Sequence, residues 1–210
     1  MPVDRRPADD TTPANVQIAD SHTAFQGHFR VHRYLLRHRL HAGGWTSWMT
    51  REVFERRPTV AVLLYDPRAD AVVLLTQFRL GALTAGKPCW QHEIVAGEID
   101  GEETPGAVAR RETLEEAGAA IYRLIPMHDV VVSPGPSTER ARIYCGLVDS
   151  RALGGLHGLA ADQEDIRAEV VPFSRAWSML AAGTIDNAPA IIALQWLALH
   201  RADLRAQAGR

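Results

Sequence analysis

Three glutamates, Glu112, Glu115 and Glu116, stand close together in a chain of 210 residues. On a helix of 3.6 residues per turn they crowd one side: Glu116 lies about 40° around the axis from Glu112, and Glu115 about 60° away on the other flank. Like charges at that spacing destabilise a helix by ~0.2 to 0.5 kcal/mol per pair. A divalent cation turns the same arrangement into a cage of hard oxygen ligands, which is the donor type that Mg²⁺ and Ca²⁺ take. A solvated acidic face is the usual meaning of paired glutamates on a helix, and Glu115 and Glu116 alone would favour it. The residues around them decide between the two readings.

Starting at Gly97 the chain runs Gly, five residues, Glu103, seven residues, then Arg111-Glu112-Thr113-Leu114-Glu115-Glu116-Ala117-Gly118-Ala119. At residue frequencies near ~7%, seven fixed matches have a chance probability on the order of 10⁻⁶ for the whole chain. This run resembles the box of the Nudix hydrolase family, Gly-x5-Glu-x7-Arg-Glu-U-x-Glu-Glu-x-Gly-U. Departures fall at the two U positions, where an aliphatic residue is usual and Thr113 and Ala119 stand here. The resemblance implies an α/β fold, the Nudix α/β/α sandwich with a mixed sheet, and a Mg²⁺ cofactor with Mn²⁺ as the alternative. Glu112 and Glu116 are then metal ligands together with the backbone carbonyl of Ala96, and Glu115 assists them. Gly97, Glu103, Arg111 and Gly118 hold structural or orienting roles. A bound metal suits this chemistry because a pyrophosphate repels an attacking hydroxide, and the cation both neutralises it and acidifies water.

The box does not choose a substrate. That choice rests on Ser133-Pro134-Gly135-Pro136-Ser137-Thr138-Glu139-Arg140, where Pro134 lies fifteen residues beyond Ala119. Added to it are Arg51-Glu52-Val53-Phe54-Glu55-Arg56, Gln77-Phe78-Arg79 and the stretch from Asp186 to Leu197. From about Phe25 onward the chain is similar to bacterial ADP-ribose pyrophosphatases. The similarity implies cleavage of ADP-ribose to AMP and ribose 5-phosphate by a homodimer that exchanges its N-terminal hairpin units, with adenine near the dimer interface. His28, Phe29, Arg51, Glu52, Arg56, Arg79, Ser133 and Glu139 fall on substrate-contact positions. The guanidinium fork matches diphosphate oxygens, although Arg51 and Arg56 serve equally well as surface ion-pair partners. His28 departs from the aromatic hydrocarbon ring expected to stack on adenine. The same similarity makes Ala161-Asp162-Gln163-Glu164-Asp165 the acidic catalytic loop. Glu164 matches a metal-binding glutamate, whereas Asp162 stands where relatives carry the catalytic Glu and is one methylene shorter. The base is therefore Asp162 or Glu164. A related Nudix hydrolase of another nucleoside diphosphate sugar, such as GDP-mannose, is the nearest rival. A non-catalytic ADP-ribose-binding regulator is the alternative from a different class.

The elements that must position these groups are legible from local signals. A helix is expected over Pro105–Ala117, with Thr104 as its cap, Pro105 at the first helical position and Gly118 as the left-handed residue after the last turn. Helices are also expected near Arg175–Ala182 and Ala188–Gln207, the second with Ile191, Leu194, Leu197 and Leu204 at helical spacing. Thr59–Tyr65 and Ala71–Phe78 form a hairpin across Asp66-Pro67-Arg68-Ala69-Asp70. Further strands are expected at His92–Ala96, Ile121–Val132, Arg142–Val148 and Arg167–Pro172. Phe29–Leu40 and Trp45–Phe54, joined by His41-Ala42-Gly43-Gly44, make a small antiparallel unit ahead of the main domain. The division expected is a disordered tail over 1–22, the antiparallel and swapped dimerisation unit over 23–56, and the Nudix domain over 57–207.

Composition limits the partners. Lys and Arg number 23 against Asp and Glu 25, a formal net charge of -2, so nothing draws a polyanion and no nucleic-acid partner is expected. The N-terminal stretch lacks the apolar centre of a signal peptide and no membrane span is present, which points to a cytoplasmic protein with no membrane partner. Cys89 and Cys145 read as core residues in a reducing compartment.

Overall fold

The computed structural model describes residues 12–159, 161 and 163–208. Its chain divides into two compact units. The first runs through Arg57 and takes in Val131–Arg140; the second comprises Pro58–Val130 and the chain from Ala141 onward.

The first unit is a three-stranded antiparallel sheet in the order β1 (Val16–Gln26), β2 (Arg30–His38) and β3 (Met49–Glu55). Gly43 and Gly44 adopt φ of 89° and 80° in the β2–β3 connection, a left-handed backbone that glycine enters at no steric cost. β1 replaces the expected tail over 16–22, while residues 1–11 of that tail lie outside the described residues. The Val16–Gln26 segment mixes partly buried and exposed residues, with Ser21 buried, and pairs with β2 from end to end across two register shifts. Its polar composition reflects a strand with one wet face. Val131–Arg140, expected inside the main domain, groups here because its turn is stitched to β3. Phe54 N donates to Pro136 O at 2.7 Å, Thr138 N donates to Phe54 O at 3.1 Å, and Arg56 N donates to Thr138 Oγ1 at 2.9 Å.

The second unit is built on a mixed sheet ordered β10 (Gly155–His157), β11 (Ile166–Pro172), β5 (Ala71–Phe78), β4 (Thr59–Asp66), β9 (Arg140–Leu147) and β8 (Arg123–Val131). Off this path β6 (Trp90–Glu93) pairs with β5 and β7 (Val95–Glu98) pairs with β4. The β4–β9 pair is parallel, while β4 meets β5 and β7 antiparallel. β4 and β5 are buried nearly throughout because helices cover both sheet faces. On one face Val60, Val62, Leu64, Val73 and Leu75 pack with Val108, Ala109 and Ala117 of α2 (Pro105–Ala117). The opposite face carries α3 (Phe173–Ala181) and α4 (Ala188–Ala208), and Arg201 of α4 reaches Asp70 in the β4–β5 turn. Burial of side chains such as Leu63, Leu64 and Leu75 contributes about 1.5 to 3 kcal/mol apiece. The arrangement is the expected α/β/α sandwich. A short helix, α1 (Leu80–Thr84), and the three-residue β10 carry too little periodicity to read from sequence. Among the described residues no helix is long and apolar enough to cross a membrane.

Candidate active site

α2 begins and ends where its local chemistry dictates. Thr104 Oγ1 accepts from Ala107 N at 3.3 Å, Pro105 opens the first turn, and Gly118 closes the last with φ of 60°. Gly118 N bonds Leu114 O and Ala119 N bonds Thr113 O, satisfying carbonyls that the helix end would leave open. Thr113 and Ala119, the two departures from the box, are both buried. Thr113 meets the cost of a buried hydroxyl by donating to Ala109 O at 2.6 Å.

The helix presents its acids toward β7. Ala96 N donates to Glu116 Oε2 at 3.0 Å, and Glu116 is 4% exposed. Burial pushes the Glu116 carboxyl up to about 8; the Ala96 bond and Arg79 oppose the shift, and Glu112 and Glu164 add to it. Glu112 is also raised, first by burial and then by Glu115 and Glu164, with Arg111 pulling the other way. Gly97 faces this pair so closely that a Cβ would fall within the carboxyl end of Glu112. Close approach, rather than an unusual backbone angle, is what this position demands.

Arg111 ties the remaining acids together. Its Nη1 lies 2.8 Å from Glu112 Oε1 and 3.0 Å from Glu115 Oε2, and Glu103 receives Nε and Nη2 at 3.3 Å each. Arg111 thus touches Glu112 and Glu115 directly, and Glu103 reaches those carboxylates only through Arg111. Glu164 N donates to Leu159 O at 3.3 Å and Leu159 N to Glu164 Oε2 at 3.4 Å, closing the acidic loop on itself. Gly158 has φ of 97°, and a Cβ there would lie 2.8 Å from Glu164 O, so only glycine fits. Its N–H reaches Glu115 O at 3.4 Å, joining the loop to α2. Asp162 lies outside the described residues. Among the described residues no three His, Cys, Asp or Glu side chains converge into a group that could hold a metal ion. Glu112 is held by Arg111 and Glu116 by Ala96, so the expected ligands are neighbours that influence one another without forming a closed cage.

The expected substrate residues separate by unit. In the first unit His28 and Phe29 meet edge to face at 4.6 Å, Phe29 meets Phe54 at 4.9 Å, and the Arg56 guanidinium lies 4.8 Å over the Phe29 ring. His28 and Arg56 line a cavity of about 520 Å³ with Gln26, Arg30, Glu55, Arg57 and Thr138, where three arginines stand against one carboxylate, a surplus of positive charge that the sequence pattern did not announce. Arg51 and Glu52 are outside that lining: Arg51 donates to Thr50 O at 2.9 Å, and Glu52 is held by Arg33 at 2.5 Å on an exposed edge. Ser133 and Glu139 belong to the turn containing Pro134, where Ser137 N donates to Ser133 O at 3.1 Å and Glu139 N to Ser137 Oγ at 3.0 Å. Arg79 belongs to the second unit, where Glu93 receives it. Glu93 was missed. Its sequence signal is a carboxylate placed directly ahead of the apolar run Ile94-Val95-Ala96, where a charge drawn toward the core must find a partner.

A model of the NUDIX domain matches residues 55–194. Over 191 residues the chain is 41% identical to the ADP-ribose pyrophosphatase of Escherichia coli (strain K12), covering 91% of each. It is 38% identical over 194 residues to the ADP-ribose pyrophosphatase of Haemophilus influenzae, covering 91% of this chain and 89% of that one. Similarity to the GDP-mannose pyrophosphatase of Enterobacter sp. (strain 638) is lower and shorter, 31% over 148 residues, which is 70% of this chain and 76% of the relative. Among solved structures, a crystal structure of an ADP compounds hydrolase superposes with a TM-score of 0.69 at 18% identity, over 92% of this chain and 98% of that one.

Proposed function

This chain belongs to the NUDIX family, and from that premise we propose that it hydrolyses the pyrophosphate bond of ADP-ribose to AMP and ribose 5-phosphate in a divalent-metal-dependent reaction. The observation that carries the reading is Glu116, a carboxylate 4% exposed and flanked by Glu112, whose ionisation costs enough to push it up to about 8. Such a group is stabilised in its charged form by a cation, and an all-oxygen donor set fits a hard one, Mg²⁺ or Mn²⁺. The similarity of this chain to ADP-ribose pyrophosphatases over most of its length supports the substrate.

In this reading Glu112, Glu116, Glu164 and the carbonyl of Ala96 would hold the metal. When bound, such a cation would supply neutralisation of the diphosphate and a lowered pKa for water. Glu103 fixes Arg111, and Arg111 in turn fixes Glu112 and Glu115. Glu164, on a glycine-started loop, accepts the proton of the attacking water at its carboxylate or serves as a ligand while Asp162 accepts it. Arg79 meets the diphosphate, and His28, Phe29, Arg51, Glu52, Arg56, Ser133 and Glu139 meet the remainder of the nucleotide sugar. We assign the working form as a homodimer, consistent with exposed Phe25, Leu35 and Trp48 in the N-terminal sheet. A cytoplasmic site of action is in keeping with free Cys89 and Cys145.

The decisive experiment compares ADP-ribose, GDP-mannose, NADH and diadenosine polyphosphates side by side with Mg²⁺, and follows the products. Highest kcat/KM for ADP-ribose, with AMP released and loss of activity in EDTA, is expected. Preference for GDP-mannose would move the substrate to the rival class while leaving the reaction type intact. Nucleotide binding without cleavage would point to a regulator. Light scattering at working concentration tests the dimer.

A further inference from the structure

The face of β5 that meets α2 carries Val73 and Leu75 into the core. Strand alternation brings Gln77 to that same face, and Arg79, whose backbone is still extended at φ -130° and ψ 107°, continues the series. Glu93 of β6 stands in register with Leu75 and receives the Arg79 guanidinium as a fork. Nε lies 3.0 and 3.1 Å from the two carboxylate oxygens, and Nη2 lies 2.7 Å from Oε2. Gln77, itself buried, donates its amide to the same Oε2 at 3.1 Å. The acid is the more buried end, with a side chain 15% exposed against 43% for Arg79. Nη1 carries none of these bonds.

Arg79 also lies within the field of Glu116 and Glu164. A long cation free to move would be drawn onto those carboxylates, because an ion pair of that kind is favoured in a partly dehydrated site. A fork on Glu93 opposes this, fixes the plane of the guanidinium, and leaves its Nη1 edge outside the fork.

We propose that Glu93 is a positioning residue: it holds Arg79 away from the acid cluster and presents the Nη1 edge to the diphosphate of the substrate. The proposal rests on the reading that Arg79 meets that diphosphate. A purely structural role, stapling β6 to the end of β5, predicts something different and can be separated from it.

The test is a double-mutant cycle read as a KM-against-kcat split for ADP-ribose, with thermal unfolding recorded for each variant. Glu93→Gln keeps the shape and a partner for Gln77 but removes the charge. In the otherwise unaltered chain it should raise KM about tenfold with kcat changed less than about threefold, and in an Arg79→Ala background it should change KM less than about twofold. Glu93→Asp, which keeps the charge one methylene further back, should give an intermediate KM and carries the same comparison should the glutamine variant fold poorly. A rise in KM of equal size in both backgrounds, or a lowered melting temperature with KM unchanged, overturns the proposal and leaves the contact of Arg79 standing. An Arg79→Ala variant with unaltered KM overturns that contact and the proposal with it.

Discussion

The backbone N–H of Ala96 donates to Glu116 Oε2 at 3.0 Å, joining β7 to α2 at the point where the chain concentrates its acids. One hydrogen bond does not offset the cost of a carboxylate that is 4% exposed, and burial together with Glu112 drives its pKa up to about 8. Glu116→Gln removes the charge and keeps the acceptor for Ala96. Turnover should fall at least ~10²-fold and Mg²⁺ affinity should weaken, while the melting temperature of the metal-free protein should hold or rise, since folding near neutrality no longer has to protonate or bury a carboxylate that ionises freely when unfolded. Calorimetric Mg²⁺ titration and thermal unfolding read the two effects separately. Undiminished turnover would remove Glu116 from the metal site.

Gly97 has no room for a Cβ against Glu112. Gly97→Ala should displace the Glu112 carboxyl, lowering kcat by more than ~10-fold and costing about 1 to 3 kcal/mol of stability through overpacking. Steady-state kinetics with urea unfolding checks both, and a variant with normal kcat would show that Glu112 can leave its observed position without loss.

Glu164 sits on a loop closed by its own bonds with Leu159. Glu164→Gln should lower kcat by ~10² or more and change KM for ADP-ribose far less, as expected of a group engaged with water or metal in the transition state. Near-normal kcat would eliminate it both as base and as essential ligand, leaving Asp162 as the acid to test.

Asp70 links both sides of the β4–β5 turn to α4. It accepts from Arg201 Nε at 2.6 Å and from the Tyr65 hydroxyl at 2.9 Å, with φ of 54°. Arg201 holds its carboxyl below the ordinary 3.8; partial burial opposes this, and Tyr65 adds to it. A lowered folded-state pKa means stabilisation that is present above the unfolded value and lost as pH falls through the folded one. Asp70→Asn, which tolerates the left-handed backbone, should cost about 1 to 3 kcal/mol near neutrality, with the deficit shrinking below about pH 4 as wild type loses the same charge. Denaturant unfolding at several pH values measures it; a deficit constant across that range would place the effect elsewhere.

The limits of α2 were legible because every signal is local. Thr104, Pro105 and Gly118 act within one turn of themselves, and the helix spans Pro105–Ala117 as their positions require. β4 and β5 were legible from continuous apolar runs, the mark of central strands. β1 was not, since its residues look like a polar tail until β2 is alongside to pair them. Val131–Arg140 was assigned to the main domain for the same reason: its bonds to Phe54 and Arg56 span some eighty residues of chain.

Sequence by itself determined which acids crowd one side of α2, because helical spacing alone sets that relation. It also determined the caps that end the helix and the central strands beneath it. Only tertiary structure decided that Glu116 is buried against Ala96, that Gly97 exists to admit Glu112, and that Glu93 takes hold of Arg79. The physical reason is that burial, close approach and charge pairing depend on groups brought together from β5, β6, β7 and α2, and no window of sequence contains them all.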